Sequence, residues 1–386
     1  MPQRGTKNTI KKESISVLCI FVANIQRETY MSKKIKWGVI ACGGIAARRT
    51  IPEYLAYLKT AEPSGEIAAV MDISRDRAKA VAEKFNIPFF CNDERELLGK
   101  DIDAVYIASP QNEHCRQAVM AAEAGKHILC EKPMAISLEE VDRMEEACRK
   151  AKVKFMLGFC MRSSVYHAKA RELVQSGALG KMVMGRAQLT CWYPPIENAW
   201  RQDVSISRGG ALIDMGTHCL DLLEWIMGST VVEVTGFQDL LVHAYRTKIE
   251  DTSTIVVKFA NGAHGIIDNY FNLPDAAAQN SLELHGTCGS IIGQGTIGQD
   301  PTGRMFSIIQ PQGGYNAGQN RATEAKRQEY NLKGESIYGR MMESFARCIL
   351  ENSEPPISLA DGRRSVAVVE AIYKAVAERR TVKVGN

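Results

Sequence analysis

The sequence has little of what marks several specialised protein classes. The formal net charge is only +4 over 386 residues, so the chain does not indicate a basic surface for nucleic acid. Hydrophobic residues make up 45% and charged residues 24%, which excludes a disordered or collagen-like chain. There is no internal repeat and no low-complexity block. Small-molecule chemistry is the default expectation for a chain long enough to form two domains.

Cysteine pairs at metal-ligand spacing are also missing. The chain has 11 cysteines, and none belongs to a Cys-x-x-Cys pair. This scatter indicates neither a structural zinc site nor a disulfide framework. We therefore expect the cysteines to be small buried hydrophobic residues of a protein in the reducing cytoplasm.

Long hydrophobic runs are absent as well. An apolar run from Ile15 to Ile25 follows several basic residues and resembles a weak signal peptide, but it is too short to cross a bilayer. It has no twin arginine and no good small-x-small cleavage site. We expect no membrane association, a translation start at Met31, and an extension over residues 1–32 that is not part of the fold.

The first half of the chain alternates strands with helices. A short apolar strand from Ile35 to Ala41 leads into a glycine turn, and a second strand from Glu66 to Met71 ends at Asp72. Such a β-α-β unit suits a dinucleotide, because the turn admits the pyrophosphate and the acid binds the ribose hydroxyls. The alternation continues and predicts a Rossmann domain with a doubly wound parallel sheet over residues 33–158.

The glycine turn departs from the usual Gly-x-Gly-x-x-Gly/Ala fingerprint. It consists of Ala41, Cys42, Gly43, Gly44, Ile45 and Ala46, so the first glycine is missing. Its position between a predicted strand and a predicted helix favours cofactor binding, and a turn used only for packing is the alternative. Gly43, Asp72, Ser109 and Lys132 all fall at strand C-terminal ends, where ligands bind such sheets.

After Phe159 the pattern changes to alternating strands that suit an antiparallel sheet. Two amphipathic helices close the chain. We predict an α+β domain over residues 159–386, with a largely antiparallel open sheet.

One stretch of this second domain carries a carboxylate and an imidazole close together. If a helix starts near Ala211, then Asp214 and His218 are four residues apart on one face. Three interpretations stay open: a general base with a carboxylate partner, a metal site completed by Asp221, or a structural hydrogen bond. Taken alone, this stretch favours the structural hydrogen bond. An unperturbed imidazole titrates near ~6.5 and so suits a base near neutral pH, which is the interpretation that the wider sequence context favours, and we expect no metal.

Four features in this order resemble one family. They are the glycine turn after the first strand, Glu131-Lys132-Pro133 after the fifth, an antiparallel second domain, and a Gly-Gly-x-x-x-Asp-x-Gly-x-His motif. The family is that of glucose-fructose oxidoreductase, inositol dehydrogenase and MocA, and the resemblance covers about residue 33 to the C-terminus. It implies an NAD(P)-dependent oxidoreductase that transfers a hydride to or from a secondary hydroxyl or ketone of a sugar, polyol or inositol.

The resemblance also implies site residues. The catalytic group would be Lys132, Asp214 and His218. The expected cofactor-binding residues are Cys42, Gly43, Gly44, Ile45, Ala46, Asp72, Ser109, Pro110, His114, Glu131 and Lys132. The expected substrate-binding residues are Lys132, Arg162, Trp200, Arg201, Asp214 and His218. For His114, a hydrogen bond to the backbone at the start of a helix is the alternative to cofactor binding, and for the aromatic loop near Trp200 the alternative is plain packing.

Asp72 favours NAD, because its carboxylate repels a 2′-phosphate, whereas Ser74 and Arg75 could bind that phosphate in NADP. We further expect a homo-oligomer that forms through the open face of the C-terminal sheet. Two other functions stay open: an NAD-dependent glycoside hydrolase that uses transient oxidation, and a nucleotide-binding sensor without catalysis.

Three positions depart from the family pattern. Ala41 replaces the first glycine, and Arg208 stands where a third glycine is common. The segment after Arg162 lacks the aromatic residue and proline that the family often has there.

Overall fold

The computed structural model describes residues 33–60, 63–310 and 326–385. The extension predicted for residues 1–32 lies outside these ranges. The described chain contains two sheets, whose strands are β1 (Ile35–Ile40), β2 (Gly65–Met71), β3 (Phe89–Cys91), β4 (Ala104–Ile107), β5 (His127–Cys130), β6 (Phe155–Leu157), β7 (Met182–Thr190), β8 (Val231–Asp239), β9 (Thr252–Phe259), β10 (His264–Tyr270), β11 (Leu282–Gly286), β12 (Gly289–Gln294), β13 (Arg304–Ile309), β14 (Arg327–Glu329) and β15 (Val382–Lys383).

Helices cover both sheets and connect their strands. The α-helices are α1 (Ile51–Tyr57), α2 (Arg75–Phe85), α3 (Glu94–Leu98), α4 (His114–Glu123), α5 (Leu138–Ala151), α6 (Val165–Gln175), α7 (Val204–Ser207), α8 (Thr217–Met227), α9 (Ile337–Leu350) and α10 (Leu359–Glu378). Two π-helical segments, Ala46–Thr50 and Leu212–Gly216, lead into α1 and α8. No helix in the described ranges is both long and apolar enough to cross a membrane.

The first sheet is parallel, in the order β3-β2-β1-β4-β5-β6. Its central strands are buried throughout, as expected when helices cover both faces; Val39, Tyr106 and Leu129 have no exposed surface. The order reverses direction between β1 and β4, so a crevice opens at the carboxyl ends of these two strands. This topology confirms the doubly wound Rossmann domain.

The second sheet has nine strands in the order β14-β13-β12-β11-β7-β10-β9-β8-β15. Its pairs are antiparallel except for β7 and β10, which run parallel. Helix α8 packs on one face. The predicted α+β domain with a largely antiparallel sheet is confirmed.

The two parts of the chain are closely joined. Helix α9 lies late in the sequence, yet it packs on α1, and Phe345 contacts the Trp37 ring with centroids 6.1 Å apart. The backbone N–H of Leu157 in β6 donates to the Ile357 carbonyl, just before α10. Segments from the end of the chain thus pack on the first domain. The domain boundary placed after residue 158 stays a prediction.

The missing first glycine of the turn has a measurable backbone consequence. Ala41 has φ of +73°, in the left-handed region that favours glycine. Its conformation is held by the next residue, since the Cys42 N–H donates to Asp72 Oδ2 at 2.9 Å. The turn therefore keeps the left-handed backbone conformation that glycine would adopt, although Ala41 carries a methyl group.

We predict that Ala41→Gly stabilises the protein. Alanine in the left-handed region costs about 1–2 kcal/mol, which glycine would relieve. The greater flexibility of glycine in the unfolded chain offsets about 0.5–1 kcal/mol of this stabilisation. Denaturant unfolding should show a net gain of up to about 1 kcal/mol. The control Ala46→Gly, at a buried helical position, should destabilise instead. Equal losses in both variants would contradict the strain at Ala41.

Candidate active site

An ion pair joins the two domains at the carboxyl edge of the parallel sheet. Lys132 follows β5, and its Nζ lies 2.9 Å from Oδ1 of Asp214, which belongs to the second domain. The ammonium also donates to the backbone carbonyl of Asp214. The structure thus brings together two of the three predicted catalytic residues, although 82 positions separate them.

A second cation binds the same carboxylate oxygen. Arg201 Nε lies 3.3 Å from Asp214 Oδ1, and its guanidinium lies over the Trp200 ring at 4.4 Å from the centroid. Burial alone would raise the pKa of the Asp214 carboxyl, but the charges of Lys132 and Arg201 hold that pKa well below its usual range. Asp214 is therefore ionised near neutral pH. Arg201 contacts both this carboxylate and the Trp200 ring, and substrate binding by Trp200 and Arg201 stays a prediction.

The helix predicted from Ala211 is not a regular α-helix. Residues Leu212–Gly216 are π-helical, and α8 begins only at Thr217. A π-helical turn is wider than an α-helical turn, so the four-residue spacing no longer stacks Asp214 directly on His218. In the described chain no hydrogen bond joins the two side chains, so the interpretation of Asp214 and His218 as a structural hydrogen-bonded pair is not supported there.

The glycines before this segment are required by close contacts. A Cβ on Gly209 would lie 1.8 Å from the Tyr373 hydroxyl, and one on Gly210 would lie 1.9 Å from the Glu250 carbonyl oxygen. Arg208 has φ of +60°, in the left-handed region that favours glycine. The motif is thus shaped by how tightly the chain passes Glu250 and α10.

His218 is buried at the start of α8, with its ring edge-on to Phe159 and centroids 6.1 Å apart. Its Nδ1 is buried and has no hydrogen-bond partner among the residues that the structure describes. Burial, and then the charge of Lys132, lower the pKa of the imidazole well below 6.5, against the opposing effect of Asp214. The ring is therefore neutral near pH 7, which is the form that accepts a proton.

Asp221 does not join Asp214 and His218 in a metal-binding group. Its carboxylate forms a bidentate pair with Arg162, whose Nη2 lies 2.6 Å from Oδ1. Within the described ranges, no cluster of three or more histidine, cysteine or acidic side chains is arranged to hold a metal ion.

Arg162 is placed differently from the expectation that it binds substrate. Its guanidinium is bonded to Asp221, Asp361 and the Pro356 carbonyl, and its side chain is 10% exposed. These contacts occupy the donors that a substrate would need. We therefore interpret Arg162 as a structural residue of the site.

The glycine turn fits a nucleotide by its open backbone. A Cβ on Gly43 would meet no atom within 4 Å, so space remains above the turn where the π-helical segment begins. Gly44 is different, because its Cβ would lie 2.5 Å from the Arg48 guanidinium. Cys42 and Ala46 are buried beneath the turn, and Ile45 is partly buried there. An open cradle at a helix start suits a pyrophosphate.

Asp72 lies where the sequence predicts, but its oxygens have protein partners. They accept from the N–H groups of Cys42 and Ser74 and from Arg77 Nη1, at 2.9–3.3 Å. Arg75, the predicted alternative for a 2′-phosphate, instead lies over the Phe90 ring. Sequence reasoning missed Arg77, although its place in the first turn of α2 was a signal.

The remaining cofactor candidates line two loops beside the crevice. His114 is buried, with its ring nitrogens 3.0 Å from the Ser109 carbonyl and 2.8 Å from the Pro133 carbonyl. This favours the backbone-bonding alternative for His114 over direct cofactor contact. The Ser109 hydroxyl donates to Gln117, and Pro110 begins the following short helix.

Glu131 is a buried acceptor beside Lys132. Its carboxylate accepts the Tyr106 hydroxyl at 2.7 Å and the Lys132 N–H at 3.3 Å. Burial raises the pKa of this carboxyl, and the Tyr106 hydrogen bond and the Lys132 charge oppose that rise. No sequence pattern pointed to Tyr106, which lies in the middle of β4.

Two family models match the two domains. Residues 35–159 match the oxidoreductase family with an NAD-binding Rossmann fold, and residues 167–292 match the GFO/IDH/MocA C-terminal domain.

Named relatives are similar over most of the chain. The chain is 27% identical over 350 residues to 1,5-anhydro-D-fructose reductase of Ensifer adhaerens, covering 90% of this chain and 98% of the relative. It is 28% identical over 320 residues to myo-inositol 2-dehydrogenase of Thermotoga maritima, covering 82% and 90%. A solved levoglucosan dehydrogenase in complex with NADH and levoglucosan has the same fold, with a TM-score of 0.80, 23% identity, and coverage of 92% and 100%. This chain belongs to the GFO/IDH/MocA family of NAD-binding oxidoreductases.

Proposed function

We propose that this protein transfers a hydride between NAD(P) and a secondary hydroxyl or ketone of a sugar, polyol or inositol. The observation that carries the proposal is the convergence of Lys132, Asp214 and His218 at the carboxyl edge of the nucleotide-binding sheet. The names of two similar proteins, 1,5-anhydro-D-fructose reductase and myo-inositol 2-dehydrogenase, describe reactions on compounds of this kind. Neither the hydrolase nor the sensor alternative is favoured.

Each residue has a role that follows from its surroundings. The buried neutral imidazole of His218 accepts the hydroxyl proton during oxidation. The Lys132 ammonium stabilises negative charge on the substrate oxygen, and Asp214 holds that ammonium in place. Arg201 contacts the same carboxylate and the Trp200 ring, and both residues are proposed to contact the substrate.

The chain offers a cradle for the cofactor, which supplies the hydride acceptor or donor when bound. Gly43 and Gly44 are proposed to admit the pyrophosphate, and Asp72 to bind the ribose. Glu131 and Lys132 border the reacting end of the crevice at the end of β5.

The proposed function is tested by screening inositols, aldoses and ketoses as substrates. Formation or consumption of NADH and of NADPH is followed by absorbance in each reaction. Lys132→Met serves as the control, because it removes the ammonium and keeps the apolar stem. We expect turnover with at least one class of polyhydroxy compound, and its loss in the variant. No turnover in either direction with any compound would contradict the proposal.

His218→Asn is expected to lower kcat by roughly 10²–10⁴, the range for a lost general base, and to leave NADH binding nearly unchanged. Stopped-flow kinetics and NADH fluorescence titration measure the two quantities separately. The exposed His264→Asn is the matched control. A kcat within twofold of the wild type would remove His218 from the mechanism.

The pH dependence is expected to differ from that of an ordinary histidine. Because burial and Lys132 lower the pKa of His218, the base form persists on the acid side of 6.5. The rate of oxidation should therefore stay level through the neutral region and fall only at a pH below 6.5. The kcat profile in the oxidation direction measures this, and a limb centred at or above 6.5 would contradict the lowered pKa.

Cofactor choice depends on Asp72 and Arg77 together. Asp72→Ser removes the negative charge and frees Arg77, so we expect a shift of roughly tenfold or more in affinity from NADH towards NADPH. Fluorescence titration of both nucleotides gives the ratio of dissociation constants. Asp76→Ser, on the exposed side of α2, should leave the ratio unchanged. An unchanged ratio in folded Asp72→Ser would show that other groups select the cofactor.

We also propose a homo-oligomer in the cytoplasm. The cysteines of the described chain are free thiols, which suits a reducing compartment. The sheet face opposite α8 carries Phe237 and Val256, 79% and 42% exposed, beside the Arg186–Asp268 ion pair. The face also carries the exposed charges of Lys258 and Arg186, and this mixture of apolar and charged points suits a self-complementary contact.

Val256→Asp should therefore shift the protein towards monomer in light scattering coupled to size exclusion. Ile73→Asp is the control, because Ile73 is 84% exposed but lies in the first domain. Identical masses for the wild type and Val256→Asp would rule out this face as the interface.

A further inference from the structure

We propose that Arg162 is a positioning residue for His218. Its ion pairs with Asp221 and Asp361 clamp the helix that carries His218 to the turn that carries Phe159. The proposal rests on the proposed role of His218 as the base.

The three charged groups form a triad between three separate segments, and Asp361 is its partly exposed member. Arg162 Nε lies 3.1 and 3.0 Å from the two oxygens of Asp221, and Nη2 lies 2.6 Å from Oδ1. The same Nη2 lies 2.9 Å from Asp361 Oδ1. The side chains of Arg162 and Asp221 are 10% and 3% exposed. Only a planar guanidinium can serve both carboxylates at these angles.

Asp361 is a fixed anchor for this triad. Its Oδ2 accepts from the N–H and the hydroxyl of Ser358, which completes a capping box at the start of α10. Arg162 Nη1 also donates to the Pro356 carbonyl at 3.4 Å. These contacts with the start of α10 fix the position of the guanidinium, which in turn holds the Asp221 carboxylate.

The triad reaches His218 from two sides. Asp221 follows His218 by three residues in α8, so fixing its carboxylate fixes the first turn of that helix. Arg162 lies in the same short turn as Phe159, and its N–H donates to the Phe159 carbonyl at 3.1 Å. The Phe159 ring is the one that meets the imidazole edge-on.

His218 depends on such indirect support. Among the described residues it has no hydrogen bond of its own, and its Nδ1 is buried without a partner. Its ring is oriented by packing and by the position of its helix. A shift of either the helix or the Phe159 turn would therefore move the atom that accepts the proton.

A cavity of about 560 Å³ borders the triad, and Trp225 and Glu224 line it too. Removal of the guanidinium leaves two acidic groups facing each other near α8, which should push the segments apart.

A second ion pair provides a matched control. Glu224 Oε1 accepts from Arg364 Nε at 3.2 Å, and this pair joins the same two helices, α8 and α10. It lies six residues beyond His218 and involves no residue of the Phe159 turn. Loss of this pair should weaken the packing of the helices without moving the imidazole.

The test compares Arg162→Gln, Arg162→Lys and Arg364→Gln in the full chain with NADH bound. We expect Arg162→Gln to lower kcat about 10- to 100-fold, as for a misplaced catalytic group, with little change in the NADH dissociation constant. Arg162→Lys keeps the charge and should recover part of the rate. Arg364→Gln should keep kcat within about twofold.

A second measurement does not depend on turnover. NMR titration of the His218 ring reports its surroundings, whose charged groups are Lys132 and Asp214, neither of them altered by the variants. We expect the ring signal or its titration midpoint to move in Arg162→Gln and not in Arg364→Gln.

The outcomes separate the two proposals. Unchanged kcat and an unmoved His218 signal in folded Arg162→Gln would overturn the positioning role, as would equal effects in both arginine variants. If the wild type turns over no polyhydroxy compound, the proposed function fails, and the NMR comparison alone then decides whether the clamp positions the ring.

Discussion

The site depends on one carboxylate oxygen that two cations share. Asp214 Oδ1 accepts from Lys132 across the domain boundary and from Arg201 within the second domain. Charges this close lower the energy of the ionised carboxylate and help to hold both cations. Because Lys132 extends from the nucleotide-binding sheet, the same contact places the second domain over the crevice. The position of the proposed chemistry thus follows from an ion pair that neither domain can make alone.

Lys132 has opposite effects on the protonation of two neighbouring groups. Burial is the main reason why the pKa of His218 is lowered, and the charge of Lys132 adds to it, whereas the same charge favours the ionised form of Asp214. A carboxylate that stays charged and an imidazole that stays neutral divide the work between electrostatic stabilisation and proton transfer. The absence of a hydrogen bond between them in the described chain is consistent with this division. The carboxylate holds the ammonium in place, and the packing around the imidazole holds its ring in place.

The sequence was sufficient for the fold, and it named the three residues that the structure brings together at the proposed site. Strand and helix alternation predicted the parallel sheet, and the glycine turn with Asp72 predicted the crevice. Local patterns did not predict the π-helical segment before α8, because it depends on the tight passage of Gly209 and Gly210 past α10 and Glu250.

Local sequence patterns also did not predict hydrogen-bond and ion-pair partners that are distant in the sequence. Arg162 looked available to a substrate until the structure placed it between Asp221 and Asp361, the latter 199 residues away. His114 looked available to a cofactor until two backbone carbonyls occupied its ring. In each case the residue type indicated polar chemistry, and only the tertiary contacts decided which polar group it met.

The most direct test of the account is isotopic. The protein would be incubated with a panel of keto sugars and ketoinositols and with NADH or NADPH carrying deuterium at the transferable position, and the products examined by mass spectrometry. Hydride transfer at a secondary carbon predicts a product alcohol that carries one deuterium on carbon, with none formed by Lys132→Met. A product without deuterium, or no reduced product from any member of the panel, would contradict the account.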